Sequence, residues 1–521
     1  MRFTLRILFL IATALLTRVV RAKGSAEHVV IVVFDGLRPD FITPQYCPNL
    51  YSLATNGVFF RRHHPAFVST TIVNGTALAT GTHPGHSGII ANSDYRQELS
   101  FTSPVASESL DTLRRGDLLS GGKYVAVDTL PEIIQAAGFH TYVAGTKGVT
   151  LLHDRGVRRT DTEAHRQSVV LGRGLVMPRA TLDTLKKAND DKPFPDGFST
   201  PNIASDHWTT RALIKGLWKR GIPKYSLLWL TDPDVTQHAK GVGSKESMDA
   251  IEASDRNLGE VLKELDDRKL RDKTDVFVVS DHGFSAAERE ADIVGALKRA
   301  GLNASLKNEN PEKGDVLVVP LGGAALIYVI DREEVSIRKT AAVLQQCDFT
   351  GVLFSKISIE GTFSMDQVRY DGSSKGSPDF VISMRWSGDR NENGWPGMII
   401  TTGGGRGGGT HGSLSRYDMN NTLVASGPDL KRGLISDIPS GNIDLAPTVL
   451  DILGITVPPS MDGRVLREAY AKFDGPKPLI REQRHEAIRR LGFIEWTQYL
   501  QTSTVEGSLY FDEGNGHLSF H

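Results

Sequence analysis

The sequence predicts an α/β protein whose central sheet is mostly parallel and is covered by helices on both faces. Short runs of apolar, β-branched residues recur along the 521-residue chain, and helical patterns separate them. Runs that are apolar at every position suit strands buried on both faces. Such strands are typical of parallel sheets that lie between two helical layers, so the order of the runs indicates this fold class.

Six runs are strand candidates, and three segments have helical patterns. The strand candidates are "HVVIVVFD" (28–35), "HTYVAG" (140–145), "YSLLWLT" (225–231), "DVFVVSD" (275–281), "DFVISMRW" (379–386) and "MIITTGG" (398–404). The helical segments are "PNLYSLATNG" (48–57), "KESMDAIEASDRNLGEVLKELDD" (245–267) and "DLAPTVLDILG" (444–454). Two of the helical segments close on glycine, a common helix stop. The apolar positions of 245–267 recur at helical spacing, which indicates a core-facing stripe.

Composition bounds the size of the core and the class of partner. With 40% hydrophobic residues, the chain can bury a core larger than that of a usual single domain. We expect a main body over 26–474, with insertions within about 97–123, 151–207 and 284–396 that form parts of a cap, and a small appendage over 475–521. The formal net charge of −1 gives no field that would favour a nucleic-acid polymer.

The N-terminus predicts export. Basic "MRFTLR" precedes the apolar run "ILFLIATALLT", and Val20-Arg21-Ala22 offers a cleavage position, as in a secretory signal peptide over 1–22. An uncleaved anchor is the weaker alternative because the run has about half the ~20 residues that a span needs. We therefore expect a periplasmic or extracellular protein without a membrane span after cleavage. The two cysteines, Cys47 and Cys347, give no disulfide framework, and their pairing is open.

Acidic residues and histidines cluster where the predicted strands end. In an open α/β sheet, ligands bind beyond the carboxyl ends of the strands. Taken singly, each residue has an ordinary structural explanation, such as Asp-Gly turn chemistry. Taken together they can furnish two metal sites, because zinc accepts aspartate and neutral histidine when no cysteine is available. The residues are Asp35, Asp234, His238, Asp281, His282 and His411.

Spacing adds two geometric expectations. Asp234 and His238 are four residues apart, so both reach one ion if a helical turn follows the strand. Asp281 and His282 are neighbours, which point apart in a regular strand. They share an ion only if the strand bends at its end, and Gly283 permits such a bend.

The stretch "FVSTTIVNGTALATG" (67–81) places three hydroxyl residues before a predicted short helix that Gly81 ends. One alternative is a simple N-cap. The other is that one hydroxyl among Ser69, Thr70 and Thr71 faces the metals, where the positive helix end favours its alkoxide and an incoming phosphate.

These residues carry a resemblance to a known family. The segments "VVFDGLRPD", "FVSTTIVNGTALATGTHPGHSGIIANS", "DPDVTQHAKG", "SDHGF" and "GTHGSLSRYDMNNTLVASGP" occur in family order. The sequence resembles the alkaline phosphatase superfamily, and within it most closely the nucleotide pyrophosphatase/phosphodiesterase branch. The resemblance implies an alkaline-phosphatase-like fold and two Zn²⁺ ions. It implies one ion on Asp234, His238 and His411, and the other on Asp35, Asp281 and His282.

The resemblance also implies roles for two further residues. Thr71 falls at the nucleophile position and would touch the second ion, and Asn92 falls where the family holds a non-bridging phosphoryl oxygen. The family usually has Phe-Pro-Asn after the nucleophile, whereas Ile72-Val73-Asn74 follows here. This departure leaves Thr70 as the less favoured nucleophile.

The function expected from the resemblance is a zinc-dependent phosphodiesterase or nucleotide pyrophosphatase that acts on a small-molecule phosphate ester through a threonine phospho-enzyme. We expect diesters to be preferred, because "IVNGTALATG" after the nucleophile contains no arginine and no acid cluster indicates a third metal. The alternatives are a zinc phosphomonoesterase, a phosphonate hydrolase and, last, a non-catalytic scaffold. A sulfatase would need Cys or Ser before Pro-x-Arg, which is not found at this position.

Overall fold

The computed structural model describes residues 25–156, 160–370 and 376–520. The predicted signal peptide over 1–22 lies outside these residues. Within the described part of the chain, no helix combines the length and the apolar character that crossing a membrane would require.

A nine-stranded sheet forms the centre of the described part of the chain and confirms the α/β prediction. In chain order its strands are β1 (His28–Phe34), β2 (Val58–Phe60), β3 (Thr141–Gly145), β4 (Val169–Gly172), β5 (Leu175–Met177), β6 (Tyr225–Leu230), β7 (Thr274–Val279), β8 (Leu423–Ser426) and β9 (Leu434–Ser436). Their order across the sheet is β9-β2-β8-β7-β1-β6-β3-β4-β5. The five strands from β7 to β4 pair in parallel, so their carboxyl ends lie along one edge, which we call the carboxyl edge.

The first strand shows why a continuous apolar run was the right signal. Side chains at positions 29, 31 and 33 of β1 pack in one hydrophobic cluster, and those at 30, 32 and 34 pack in another. All six are fully buried, because helices cover the sheet on both faces.

Helices flank the sheet, and the three helical predictions are confirmed by α1, α11 and α14. The α-helices are α1 (Pro48–Asn56), α2 (Thr71–Thr80), α3 (Pro84–Ser87), α4 (Leu110–Ser120), α5 (Leu130–Ala136), α6 (Thr150–His153), α7 (Glu163–Gln167), α8 (Leu182–Ala188), α9 (Ile203–Arg211), α10 (Asp234–Lys240), α11 (Lys245–Asp267), α12 (Ile293–Arg299), α13 (Glu334–Leu344) and α14 (Leu445–Ile452). The stripe of α11 that includes Ile251, Leu258 and Val261 is fully buried, as a core-facing stripe should be.

Two of the six strand candidates belong to other sheets, so their assignment to the central sheet was wrong. Phe380–Met384 lies in a six-stranded sheet with Ala304–Ser305, Val316–Pro320, Ala324–Val329, Thr350–Ser355 and Phe363–Ser364. Pro396–Thr401 lies in a four-stranded sheet with Ser285–Glu290, Trp386–Arg390 and Gly409–Thr410. The strand Phe380–Met384 is also buried on both faces, with Val381 in one cluster and Ile382 in another. Its apolar pattern therefore could not distinguish it from a central strand.

The C-terminal segment forms three long antiparallel strands, Ile480–Leu491, Ile494–Val505 and Ser508–Phe520. The Gln498 side chain accepts from Leu353 N (2.7 Å) and donates to Leu353 O (3.2 Å), which ties this sheet to the body. The division at 475 and the role of the insertions as a cap stay predictions. Cys47 and Cys347 are both free thiols.

Candidate metal centre and nucleophile

The structure brings the six sequence-predicted ligands together at the carboxyl edge. Asp35 follows β1, Asp281 and His282 follow β7, and Asp234 begins α10 shortly after β6. Because β1 pairs with both β7 and β6, the three strand ends are neighbours. Adjacent parallel strands thus deliver residues that are far apart in sequence to one place.

The first group of candidate ligands is Asp234, His238 and His411. His238 Nε2 lies 3.2 Å from Asp234 Oδ1, as the four-residue spacing on α10 predicts. His411, which follows the strand Gly409–Thr410, places its Nε2 3.4 Å from the same oxygen. These ligand atoms all lie within 4.8 Å of one another, as one ion would require. The His238 side chain is 40% exposed, so the group is open on one side.

The second group surrounds His282 Nε2. This nitrogen lies 3.2 Å from Asp281 Oδ2, 3.6 Å from Asp35 Oδ1 and 3.9 Å from Asp234 Oδ1. The ligand atoms of Asp35, Asp234 and His282 also lie within 4.8 Å of one another. Asp234 therefore faces both groups, whereas the resemblance assigned it to one ion.

Gly283, just after the bend that follows β7, meets a steric requirement that the sequence did not indicate. A Cβ at this position would lie 1.9 Å from the Tyr417 carbonyl oxygen. The glycine is needed because another segment's backbone approaches closely. The bend brings both Asp281 and His282 into the second group.

Each of the three carboxylates has one oxygen held and one oxygen directed into the cluster. Asp35 Oδ2 accepts a hydrogen bond from Trp229 Nε1 at 2.8 Å. Asp281 Oδ1 accepts from Gly36 N at 3.1 Å, and Asp234 Oδ2 accepts from Lys147 Nζ at 2.6 Å. The other oxygens, Asp35 Oδ1, Asp234 Oδ1 and Asp281 Oδ2, are buried and have no hydrogen-bond donor among the described residues. Buried carboxylate oxygens without donors are costly, so this arrangement fits a cation.

The three imidazoles are oriented in the same way. Their Nδ1 atoms lie 2.8–2.9 Å from backbone carbonyl oxygens, which only accept hydrogen bonds, so Nδ1 carries the hydrogen and Nε2 is left for a ligand. The carbonyls belong to Gly409 for His238, Gly283 for His282 and Ser69 for His411. Burial lowers the pKa of His282 and of His411, which keeps both in the neutral form that metals bind.

Lys147 is a residue of this centre that the sequence reasoning missed. It follows β3, and its Nζ lies 2.8 Å from Asp35 Oδ2 and 2.6 Å from Asp234 Oδ2. Although burial lowers the pKa of Lys147, Asp234 and Asp35 raise it well above its ordinary value, so the ammonium stays charged. The predicted strand 140–145 ends at the same edge, but a lysine is neither an acid nor a histidine and so did not belong to the predicted set of ligands.

The predicted nucleophile lies beside the second group. Helix α2 begins at Thr71 and ends at Thr80, and the C-cap residue Gly81 has a φ of 67°, which suits glycine. Thr71 Oγ1 lies 3.2 Å from His282 Nε2. Thr70 is the N-cap residue but makes no side-chain capping hydrogen bond, and Ser69 Oγ donates to the Ser413 carbonyl at 2.9 Å. The simple capping alternative therefore does not explain the hydroxyl cluster.

Asn92 contacts the start of the same helix. Its Oδ1 accepts a hydrogen bond from Ile72 N at 2.9 Å. Because the amide oxygen is bound to the helix, the orientation of the amide is fixed, and its NH₂ group is directed away from that N–H. An amide donor beside the predicted nucleophile is suited to an oxyanion of a bound phosphoryl group.

Comparison with known proteins is consistent with this geometry. The family model described as type I phosphodiesterase / nucleotide pyrophosphatase matches residues 29–403. Human ectonucleotide pyrophosphatase/phosphodiesterase family member 7 is 23% identical over 275 residues, which is 52% of this chain and 51% of the human protein. The chain thus spans about half the length of that relative. Mouse bis(5'-adenosyl)-triphosphatase is 22% identical over 441 residues, covering 84% of this chain and 80% of the mouse protein.

Solved structures share the fold. Human ectonucleotide pyrophosphatase/phosphodiesterase 5 superposes with a TM-score of 0.59 at 18% identity, covering 85% of this chain and all of the human chain. The murine counterpart, in an inactive threonine-to-alanine form in complex with AMP, superposes with a TM-score of 0.60 at 18% identity and the same coverage. At this level of identity, the likeness establishes the fold alone.

Proposed function

Because the chain belongs to the type I phosphodiesterase / nucleotide pyrophosphatase family, we propose that it hydrolyses small-molecule phosphate esters, preferring phosphodiesters and nucleotide pyrophosphates. One observation carries the proposal: the Thr71 hydroxyl lies 3.2 Å from His282 Nε2, where three buried carboxylate oxygens without donors converge. A nucleophile beside a cluster of candidate metal ligands is the arrangement that metal-assisted ester hydrolysis requires.

The proposed cofactors are two Zn²⁺ ions. Asp234, His238 and His411 would hold one, and Asp35, Asp281, His282 and the Thr71 hydroxyl would hold the other. The unpartnered carboxylate oxygens and the Nε2 atoms left by the Nδ1 contacts support this assignment. When bound, the ions would supply Lewis-acid stabilisation of the attacking and leaving oxygens.

The chain's own residues would then carry out two displacements. In the first, Thr71 Oγ1 forms a bond to phosphorus while the bond from phosphorus to the leaving oxygen breaks, and the hydroxyl proton ends on the departing alcohol. In the second, the oxygen of water bonds to phosphorus, the bond to Oγ1 breaks and one water proton ends on Oγ1, which regenerates the threonine. The NH₂ group of Asn92 would donate to a non-bridging oxygen throughout, and the positive N-terminal end of α2 would favour the same negative charge.

Lys147 makes phosphomonoesters the second candidate substrate class. Diesters are expected because no arginine follows the nucleophile and no acid cluster indicates a third metal, yet the Lys147 ammonium contacts both Asp35 and Asp234. A monoester dianion carries one more negative charge than a diester and gains more from such a cation. Neutral Asn92 favours the diester, and the two residues therefore point to different substrates.

The deciding experiment compares kcat/KM for an aryl phosphodiester and the matching aryl monoester at one pH, with zinc present. We expect the diester to be preferred. Lys147→Met should lower kcat/KM for the monoester about tenfold more than for the diester, because the dianion loses the larger charge interaction; a factor of ten in kcat/KM corresponds to about 1.4 kcal/mol. Lys187→Met, on the exposed side of α8, is the matched control and should leave the ratio unchanged.

Other outcomes would change the proposal. A clear monoester preference that Lys147→Met abolishes would make the protein a zinc phosphomonoesterase. Failure of the zinc-loaded protein to hydrolyse either ester, or a dinucleotide polyphosphate of the kind named for the mouse relative, would leave the scaffold alternative as the better one.

We also propose export to the periplasm or the extracellular space. The basic and apolar segments at the start of the sequence support it. N-terminal sequencing of the protein recovered outside the cytoplasm should begin shortly after Ala22, and recovery only of chains that begin at Met1 would contradict the proposal.

A further inference from the structure

A buried asparagine lies behind the metal-ligand cluster and contacts two of its supports. Asn442 Nδ2 donates to the Asp281 carbonyl oxygen at 2.6 Å and to Asn74 Oδ1 at 3.1 Å. Asn442 Oδ1 accepts from Asn421 Nδ2 at 3.2 Å and lies 3.0 Å from His63 Nε2. All of these residues are 0% exposed. The amide therefore makes four contacts in a place where water cannot replace any of them.

His63 fixes the orientation of the Asn442 amide. An amide oxygen only accepts hydrogen bonds, so His63 Nε2 carries a hydrogen and Nδ1 accepts from the Ser440 hydroxyl, 2.9 Å away. Burial lowers the pKa of His63 to about 3, so the ring stays neutral and keeps this single tautomer. With its oxygen held by His63, the amide must direct its NH₂ group toward Asp281 and Asn74.

Asn74 extends this contact to the nucleophile. It lies on α2, three residues after Thr71, and its Nδ2 donates to the Thr70 carbonyl at 3.2 Å and to the Ala66 carbonyl at 3.1 Å. Its Oδ1 accepts from Ala66 N at 2.7 Å. The Asn74 amide thereby fixes the backbone that leads into Thr71.

We propose that Asn442 is a positioning residue that holds the Asp281 ligand loop and the Thr71 nucleophile in one frame, directly through Asp281 and indirectly through Asn74. The inference rests on the proposed two-zinc site. Without the two NH₂ contacts, the ligand loop and the helix start can shift independently, which loosens the second ion's ligands and misaligns Thr71. Outer contacts of this kind typically change metal affinity about 10- to 100-fold.

The test compares two isosteric substitutions, Asn442→Asp and Asn189→Asp. Asn189 is also buried, and its Nδ2 donates to the carbonyls of Leu185 (3.0 Å) and Trp208 (3.2 Å), away from the metal centre. Each substitution removes two NH₂ donors and leaves the volume unchanged. The readouts are the affinities of metal-free protein for zinc alone, by competition with a chelator, together with kcat, KM and the unfolding temperature.

Asn442→Asp should lower the affinity for one of the two zinc ions about tenfold or more. It should also lower kcat with little change in KM. Asn189→Asp should lower the unfolding temperature and leave both zinc affinities unchanged. If the two variants have equal zinc affinities and their kcat values follow stability alone, the positioning role is wrong. If the wild-type protein binds no zinc, the proposed function fails instead.

A second variant covers the case in which Asn442→Asp does not fold. His63→Leu leaves Asn442 in place and removes the nearer of the two donors to its Oδ1, so that Asn421 Nδ2 alone orients the amide. His63→Leu should lower the affinity for the same zinc ion and leave the affinity for the other unchanged. Wild-type affinity for both ions in His63→Leu would overturn the inference on its own.

Discussion

The two ends of strand β7 carry buried aspartates in closely comparable settings. Asp275 near its start and Asp281 just beyond its end are both 0% exposed. Each has one oxygen that accepts from a backbone N–H: Asp275 Oδ1 from Asp429 N at 3.2 Å, and Asp281 Oδ1 from Gly36 N at 3.1 Å. Burial and this single contact therefore do not distinguish a functional aspartate from a structural one.

The two aspartates differ in what faces their second oxygen. Asp275 lies beside the Asp429 carboxyl, and burial together with that neighbour raises the pKa of Asp275 to about 8. Asp281 Oδ2 instead lies 3.2 Å from the neutral His282 Nε2, near the other ligands. Burial also raises the pKa of Asp281, to about 7, so a raised pKa alone does not distinguish the two aspartates. Where imidazole nitrogens converge on a buried carboxyl group, that group is suited to a metal ion.

The largest effect should come from Thr71, the proposed nucleophile at the carboxyl edge. Thr71→Ala should lower kcat roughly a thousandfold or more, because removing a covalent nucleophile disables the whole reaction. Folding should be retained, and zinc should still bind through the remaining ligands. Thr70→Ala is the matched control one residue away, and steady-state kinetics should show most of the activity. Exchanged phenotypes would mean that Thr70 is the nucleophile.

A smaller effect is expected on zinc affinity, which should differ between substitutions at the two ends of β7. Asp281→Asn should weaken zinc binding by at least about tenfold, because it removes a charged ligand from the second group. Asp275→Asn, on the same strand, should leave zinc affinity unchanged. Isothermal titration of metal-free protein with zinc measures both. Equal affinities in the two variants would contradict the distinction drawn here.

The smallest effect concerns how the free energy of unfolding changes with pH because of Asp275, near the start of β7. Asp275 has a folded-state pKa of about 8, whereas an unfolded aspartate titrates near about 4. The folded chain thus keeps a proton that the unfolded chain releases, so this contribution to stability is present at pH 4 and is lost as pH rises through 8. The loss should be at least about 1 kcal/mol. Asp275→Asn should flatten that slope in denaturant titrations at pH 5, 6.5 and 8 with saturating zinc. An unchanged slope would show that Asp275 is ionised in the folded chain.

Features that depend on the spacing of residues along the chain could be predicted from the sequence. The bounds of α11, the buried run of β1 and the shared face of Asp234 and His238 follow from spacing within a few residues. Strand ends were informative because parallel neighbours bring their carboxyl ends together. All six ligand candidates were found by that route.

Other features depend on contacts that spacing does not encode. Asp234 faces both ligand groups through Oδ1, and Lys147, which follows β3, contacts its other oxygen, Oδ2. Asn442 contacts Asp281 across 161 residues of sequence and Asn74 across 368. The strand Phe380–Met384 was assigned to the wrong sheet because burial on both faces looks the same in any sheet.

The most direct test of the account is the zinc content of the purified protein. Elemental analysis after dialysis against zinc-containing and then zinc-free buffer should give close to two zinc ions per chain, and hydrolysis of the aryl phosphodiester should stop after chelation and return when zinc is restored. The three carboxylate oxygens without donors are the reason for this expectation. Full phosphodiesterase activity in protein that a strong chelator has stripped of metal would contradict it.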